Sequence, residues 1–481
     1  MKMYKRQHPI TILFELKLRD LFPTFILLFS TKGKFPFWYL IPVGIFAFTI
    51  LSTVIEWYYK VYWIENNTLH IKHGLFVKKE SYLNKERVQT INTSSNVVYQ
   101  LLGLTKLKIE TAGGGHEPEV SLAGITNQEA KHLISLLNEE AKSEKSLTED
   151  NYVPTNDANT AIYKLTIKEI LLASITSGQF GLLFSFFFIF GQELKDYIPK
   201  SAIDTVEKYV KNSDMYGWMY MAAILVVLSW IISTFAYAFK HANFTVYRRG
   251  DEIRISQGLL EKKELVLKLH RIQAITIKEA LLRQPFGYCS VHVEVIQSIG
   301  KHEMNVTLHP LMRKKDVGQL LEHLQLPYKI EEHLTHLPKA AMRRYLIYNW
   351  MICMIFAVPI TGVSIYFKQY MGLLALIPLF IVFTALGYGK FTTGGYALQP
   401  DQLTIVYRGI AKYTGLVRKR HIQSMKKSQT YFQRKDQLCT YMFAVASAGA
   451  GQHYKLKHMR LEDADRMQNW YKQKDEKIVV D

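Results

Sequence analysis

The chain has 481 residues, 48% hydrophobic content, a formal net charge of +19 and a mean hydropathy of -0.02. So basic a balance suits nucleic acid or an anionic membrane surface, and the sequence offers neither a nucleic-acid module nor an aromatic–basic platform. The near-zero mean hides a bimodal chain: apolar runs of about twenty residues, enough to cross a bilayer as a helix, alternate with charged strand-like segments.

The start carries Lys2, Lys5 and Arg6, then Glu15, Lys17, Arg19 and Asp20, without the apolar stretch and cleavage site of a signal peptide. Residues 21–30 form a short apolar run. It reads as a first crossing whose flanking charges snorkel, and an interfacial helix is the alternative. Clear spans follow at 35–57, 170–190, 216–239, 345–367 and 372–388, with Trp38, Trp57, Tyr58, Tyr216, Trp218, Trp350, Tyr366 and Tyr388 at their ends. Aromatic residues crowd the bilayer interfaces in this way. Six crossings in three hairpins put everything between them on one side. Lys60, Lys240, Arg248, Arg249, Arg343, Arg344 and Lys390 border those segments, and Lys32, Lys34 and Lys368 lie on the other side. The balance places the segments in the cytoplasm, at the surface of the cell (plasma) membrane.

After each hairpin the same signature recurs. It runs Leu69, Ile71, Gly74-Leu75, Arg87-Val88-Gln89; then Ile253, Ile255, Gly258-Leu259, Arg271-Ile272-Gln273; then Leu403, Ile405, Gly409-Ile410, His421-Ile422-Gln423. In each copy the Gln falls twenty residues after the leading Leu or Ile. The unit is a membrane hairpin plus a small domain, used three times. Hairpins occupy 10–58, 163–240 and 345–389, small domains 59–142, 241–326 and 390–475, and linkers 143–162 and 327–344. Short alternating strands such as Leu69-His70-Ile71 and Leu107-Lys108-Ile109 open each domain, and helical spacing at 127–141, 316–324 and 462–473 closes it. The signature glycines sit where a turn needs positive φ. Arg and Gln flank an apolar residue in a strand, so both face away from the core. A structural role for the Gln at a sheet corner is expected, with a ligand-facing stripe as the alternative.

The Tyr-rich exit from the membrane, Gly74-Leu75-Phe76, Arg87-Val88-Gln89 and Leu102-Gly103-Leu104 resemble the bacterial membrane-flanked PH-like domain. Three such domains, each behind a helix pair, resemble the YdbT-type membrane proteins over nearly the whole chain. The resemblance implies a multi-pass α-helical membrane protein with three cytoplasmic α+β PH-like domains. Each would be a small antiparallel β-barrel of about seven strands, capped by a C-terminal helix. It also implies a smaller membrane partner with a related PH-like domain.

Catalytic motifs are missing. There is no GxxxxGK[ST] loop and no GxSxG elbow. His116-Glu117 and His302-Glu303 begin like HExxH, but Val120 and Val306 stand where the second His belongs. The three cysteines, Cys289, Cys353 and Cys439, have no metal spacing and read as reduced core thiols. No cofactor is implied. Basic clusters are the remaining signal. Lys262, Lys263, Arg418, Lys419, Arg420, Lys426 and Lys427 are candidate anionic-lipid contacts, or else simply a solvated basic face. The expected function is non-enzymatic: PH-like domains that bind protein partners, and anionic lipid, at the inner membrane surface, with a homo-oligomer left open. A transporter or export component is the alternative, and it would need a charge at the bilayer midplane. Glu56 and Glu169 lie at span ends.

Overall fold

The computed structural model describes residues 4–15, 40–65, 68–74, 77–84, 88–111, 120–137, 163–176, 215–295, 306–366, 368, 370–447 and 452–473. The run at 21–30, most of 170–190, Leu75, Phe76, Arg87, the linker at 143–160 and both His-Glu dipeptides lie outside the described residues.

Each repeat contributes seven antiparallel strands. Repeat one has β1 (Lys5–Arg6), α1 (Leu40–Tyr59), β2 (Val61–Glu65), β3 (Thr68–His73), β4 (Lys79–Asn84), β5 (Val88–Asn96), β6 (Leu104–Thr111), β7 (Val120–Thr126) and α2 (Asn127–Leu137). Repeat two has β8 (Tyr163–Lys164), α3 (Ile167–Ile175), α4 (Met215–His241), β9 (Thr245–Arg249), β10 (Glu252–Gln257), β11 (Glu261–Lys268), β12 (Ile272–Glu279), β13 (Tyr288–Val295), β14 (Val306–Arg313) and α5 (Val317–His323). Repeat three has β15 (Thr335–His336), α6 (Lys339–Tyr366), α7 (Leu376–Thr393), β16 (Gly395–Leu398), β17 (Gln402–Arg408), β18 (Lys412–Arg418), β19 (Ile422–Ser428), β20 (Leu438–Val445), β21 (Gln452–Arg460) and α8 (Leu461–Lys472). The first strand of each repeat stands before its hairpin and pairs with the strand after it. Lys5 faces Tyr62, Tyr163 faces Val246 and Thr335 faces Tyr396. The apolar helices of each repeat are thus inserted between the first two strands of its domain, and two-residue strands carry too little alternation to be read from sequence.

The chain divides into two compact units, and the division does not follow the repeats. One unit is built on Met1–Thr160 and takes in Arg254–Leu267 of repeat two. The other is built on Ala161–Ile253, Lys268–Gln297 and Lys301–Asp481. In the first, β1-β2-β3-β4 form one sheet and β5-β6-β7 a second. Alternation puts Leu69 and Ile71 of β3 inward, and they meet Leu107, Ile109 and Leu122 of the second sheet and Leu133 of α2 in one core. In the second unit, the core of repeat three joins Leu403, Ile405 and Val417 to Tyr441, Phe443 and Tyr454, and Ala464 and Met467 of α8 close it. Leu337, Ala341 and Tyr345, from the start of α6, also belong to this core. The three cysteines are buried and free.

Three helical stretches, Ala223–His241, Lys339–Tyr366 and Tyr370–Thr393, are long and apolar enough to cross a bilayer, and α1 offers a shorter apolar stretch, Val43–Tyr59. Their large side chains, among them Ile224, Phe235, Met351, Ile355, Ile377 and Phe380, are exposed. That much bare apolar surface is unfavourable in water and is the expected outside of a helix in lipid. Helices α6 and α7 pack on each other through small and polar groups. Trp350 Nε1 donates to Thr384 Oγ1 at 3.0 Å, and Gly387 lies so close that an added Cβ would come 3.2 Å from the Tyr345 carbonyl oxygen.

The signature glycines divide. Gly74 and Gly258 adopt φ of 100° and 105°, and a Cβ on either would fall 2.1 or 2.0 Å from the carbonyl oxygen of Val77 or Glu261. Gly409 corrects the expectation: it stands four residues after Ile405, where Gly74 and Gly258 stand three after Ile71 and Ile255, its φ is not in the left-handed range, and a Cβ would meet open space. Gly258→Val is therefore expected to destabilise the detergent-solubilised chain by at least about 2 kcal/mol, from backbone strain and the clash together. Gly409→Val should change the thermal melt little, and equal losses for both variants would refute this account of the turn.

Candidate functional site

The most specific geometry on the molecule lies where one repeat meets the next. Strand β5 of repeat one pairs antiparallel with β11 of repeat two, with Thr93 opposite Glu264, Ser94 opposite Lys263 and Asn96 opposite Glu261. Strand β12 of repeat two pairs antiparallel with β18 of repeat three, from Ala274 opposite Val417 to Glu279 opposite Lys412. The second pairing fuses two sheets into one of seven strands, ordered β14-β13-β12-β18-β17-β16-β15. Both seams keep one register. Thr93 and Ile277 each stand four residues after their signature Gln, and their partners Glu264 and Thr414 each stand nine residues before the next one.

The signature explains why this strand can serve two sheets. In β5, β12 and β19 the register shifts at the Gln, between Val88 and Thr90, between Ile272 and Ala274, and between Ile422 and Ser424. The Gln is thus the extra residue of a β-bulge, which bends the strand. Gln273 is buried and its Nε2 donates to the Arg271 carbonyl at 3.2 Å. His421 Nδ1 reaches the Gln273 carbonyl at 3.1 Å from the neighbouring repeat. The expected outward-facing Arg/Gln stripe is not what repeat two shows, because β18 and its repeat cover the far side: Arg271, Ile272 and Gln273 are all buried.

Covered and uncovered copies of this strand differ sharply. From Ile272 to Ile277 every residue of β12 is buried. In β19 only Ile422 is buried, Met425 is half-buried, and Gln423, Ser424, Lys426, Lys427 and Ser428 are exposed. Among the described residues β19 pairs only with β20, and β4 only with β3. Each of these two strands therefore has one edge without a strand partner among the described residues.

A second recurring feature sits beside the hairpins. The connector after the bulged strand is a short helical segment: Val97–Leu101, Leu281–Phe286 and Tyr431–Lys435. Each touches the helical segment that follows the first strand of its own repeat: Thr11–Glu15 in repeat one, α3 in repeat two and α6 in repeat three. Tyr99 packs edge-on against Phe14 at 5.1 Å. Arg283 donates to the Ala173 carbonyl at 2.9 Å and to Thr176 Oγ1 at 3.0 Å. Arg344 donates to the Phe432 carbonyl at 2.8 Å and pairs with Asp436. Each connector also bares large apolar side chains there: Leu101 is 81% exposed, Phe286 70% and Tyr431 81%. Sequence inspection missed the connectors, although paired apolar residues recur after each signature Gln: Leu101-Leu102, Leu281-Leu282 and Tyr431-Phe432.

The basic candidates do not form one cluster. Lys262 and Lys263 lie in the first seam, opposite Ser95 and Ser94. Arg418 is bound to Asp401, Lys419 donates to the Gln473 carbonyl at 2.6 Å, and Lys427 pairs with Asp465 at 2.6 Å. Arg420 is exposed and donates to His421 Nε2, and Lys426 is exposed on β19. Polar groups near the second seam are instead deeply buried. Thr276 and Tyr454 share a 2.8 Å hydrogen bond. Glu294 is fully buried and accepts from Ser447 Oγ at 3.3 Å. Burial pushes the Glu294 carboxyl up to about 7, against the pull of its Ser447 and Thr276 hydrogen bonds. Among the described residues no three His, Cys, Asp or Glu side chains come together as a metal site.

Comparison with known proteins agrees with the threefold architecture. The family profile of the bacterial PH domain matches residues 20–141, 186–327 and 352–475. The chain is also 29% identical to the UPF0699 transmembrane protein YdbT of Bacillus subtilis (strain 168), over 97% of this chain and 98% of that protein.

The buried Glu294 gives a pH dependence with a definite sign. Its folded pKa lies above that of an unfolded glutamate, so the stabilisation is complete below about pH 4.5 and is lost as pH rises to about 7 and beyond. Glu294→Gln should raise the stability of the detergent-solubilised chain at pH 8 by up to about 3 kcal/mol and change it little at pH 5. Equal effects at both pH values would overturn this account.

Proposed function

The chain belongs to the bacterial PH domain family, with three copies of that domain in one transmembrane protein, and from that premise we propose that it is a non-enzymatic membrane scaffold. Its PH-like domains would lie at the cytoplasmic surface of the plasma membrane and bind protein partners through sheet edges. One observation carries this reading: the domains already bind each other that way, twice, in one register. The partner class that fits is a membrane protein offering a related PH-like domain, whether a smaller one or a further copy. The chemistry is backbone hydrogen bonding along an edge, with side chains setting the register.

The strands that flank the apolar helices support a topology for this reading. Two strands that pair must lie on one side of the membrane, so an even number of crossings separates them. That rule supports an even number of crossings in each repeat, in keeping with the six read from the sequence. The connectors support a resting place on the bilayer surface. Leu101, Phe286 and Tyr431 are exposed on connectors that touch the helical segments after each first strand, and an apolar side chain gains by dipping into the interface. Lys262, Lys263, Arg418, Lys419, Arg420, Lys426 and Lys427 would add attraction to anionic lipid, roughly 1 kcal/mol for each charge that reaches the surface.

Two experiments test the reading. A photo-crosslinking residue at Ser428, in native membranes, should capture a protein through the first-sheet edge of a PH-like domain, as mapped from the linked peptide. Capture through any other fold, or none, would sink the sheet-edge reading. A cysteine at Lys5 should be shielded from impermeant thiol reagents in intact cells, and labelling there would mean an odd number of crossings before Tyr62.

A further inference from the structure

We propose that the edge of β19 takes β4 of a second copy of this chain, so that copies join head to tail. The inference rests on the scaffold reading above and gives its interface a register and an occupant. The two seams within the chain supply the template. In both, the bulged strand of one repeat receives the last strand of the next repeat's first sheet, with the position four after one Gln facing the position nine before the next. Only two strands of these types are left without such a partner among the described residues. One is β19, the bulged strand of repeat three. The other is β4, the last first-sheet strand of repeat one. They are the two halves of one more seam.

Continuing the register pairs specific side chains. Lys427 stands four residues after Gln423, and Glu80 stands nine before Gln89, so an opposite-charge pair faces across the strands. Met425 then faces Tyr82, where Ile275 faces Leu416 in the existing seam. Ser424 faces Leu83, where Ala274 faces Val417. The existing seam also carries an opposite-charge cross-strand pair, Glu279 with Lys412 at 3.5 Å, two positions further along the same face. Opposite charges directly across a strand pair are favourable and like charges are not. A lysine on an edge strand also rejects indiscriminate pairing, so Lys427 would admit a strand that offers an acid there. Within its own domain Lys427 is held by Asp465 and Glu80 by Lys72, and both pairs lie at least partly in solvent, where exchange costs little. Edges of two different kinds meeting head to tail make a heterologous contact, which closes into a ring or extends as a row. Membrane anchoring keeps all copies in one plane and one orientation.

The test uses the full chain in membranes, with two tagged forms expressed together. One carries Glu80→Cys and the other Lys427→Cys. Residues directly opposite across antiparallel strands come within disulfide reach, and the three native cysteines are buried. Oxidation should give a species of twice the mass bearing both tags, and neither single variant should give it. In a second series the reporter pair is Tyr82→Cys and Met425→Cys. There Lys427→Glu should lower the cross-linking yield about fivefold, the equivalent of about 1 kcal/mol, and Glu80→Lys on the other form should restore it. A chain carrying both cysteines that cross-links only within itself would overturn the proposal. A link from Met425→Cys to a different, smaller protein would overturn the second copy as occupant and leave the scaffold reading standing. A β19 edge that links to nothing would overturn both.

Discussion

An open sheet edge is the constraint from which this molecule's organisation follows. Each edge strand presents backbone N–H and C=O groups that need partners, and a flat run of them is a template for pairing with whatever arrives. Here two of those edges are used up inside the chain: β5 is covered by β11 and β12 by β18. The bulge at the signature Gln makes this affordable to the fold, because a bent strand can turn from its own sheet to serve another repeat. Burial then reaches both faces. Thr276 and Tyr454, from different repeats, share a hydrogen bond away from solvent, and Ala274 of repeat two belongs to the core of repeat three.

The apolar helices are tied to the strands of their own domains. The helices of each repeat stand between two paired strands, and each connector grips the helical segment that follows the first of them through a ring contact or an arginine. Tyr345 belongs both to α6 and to the core of repeat three, and its hydroxyl donates to the Lys457 carbonyl at 3.0 Å. No flexible tether separates span from domain in that repeat. The third domain is accordingly incomplete without the start of α6, since Leu337, Ala341 and Tyr345 fill its core.

Much of this was legible in the sequence. The threefold signature, the alternating Leu69-His70-Ile71 and its counterparts, and the closing helices all rest on local periodicity, and the structure places strands and helices there. Domain pairing was not legible, because the register between distant strands leaves no local period. A trace was nevertheless present. Ile272 to Ile277 carries no charge and, apart from Gln273 and Thr276, is apolar, as suits a doubly covered strand, whereas the matching stretch of β19 carries Lys426-Lys427. The basic residues illustrate the opposite error: Arg418 and Lys427 look free in the sequence, yet Asp401 and Asp465 hold them. Gly409 shows that one conserved spacing can be met by two different turns.

The structural period of the protein is out of phase with its sequence repeat. A strip of sheet begins at the second half of one domain and ends at the first half of the next, as β14-β13-β12 runs on into β18-β17-β16-β15. One structural period therefore runs from one signature Gln to the next. A gene growing or shrinking by that piece would change the number of repeats and leave both terminal edges as they are. Chain length and end chemistry are in this way independent, and relatives with fewer or more repeats would still present the same two ends.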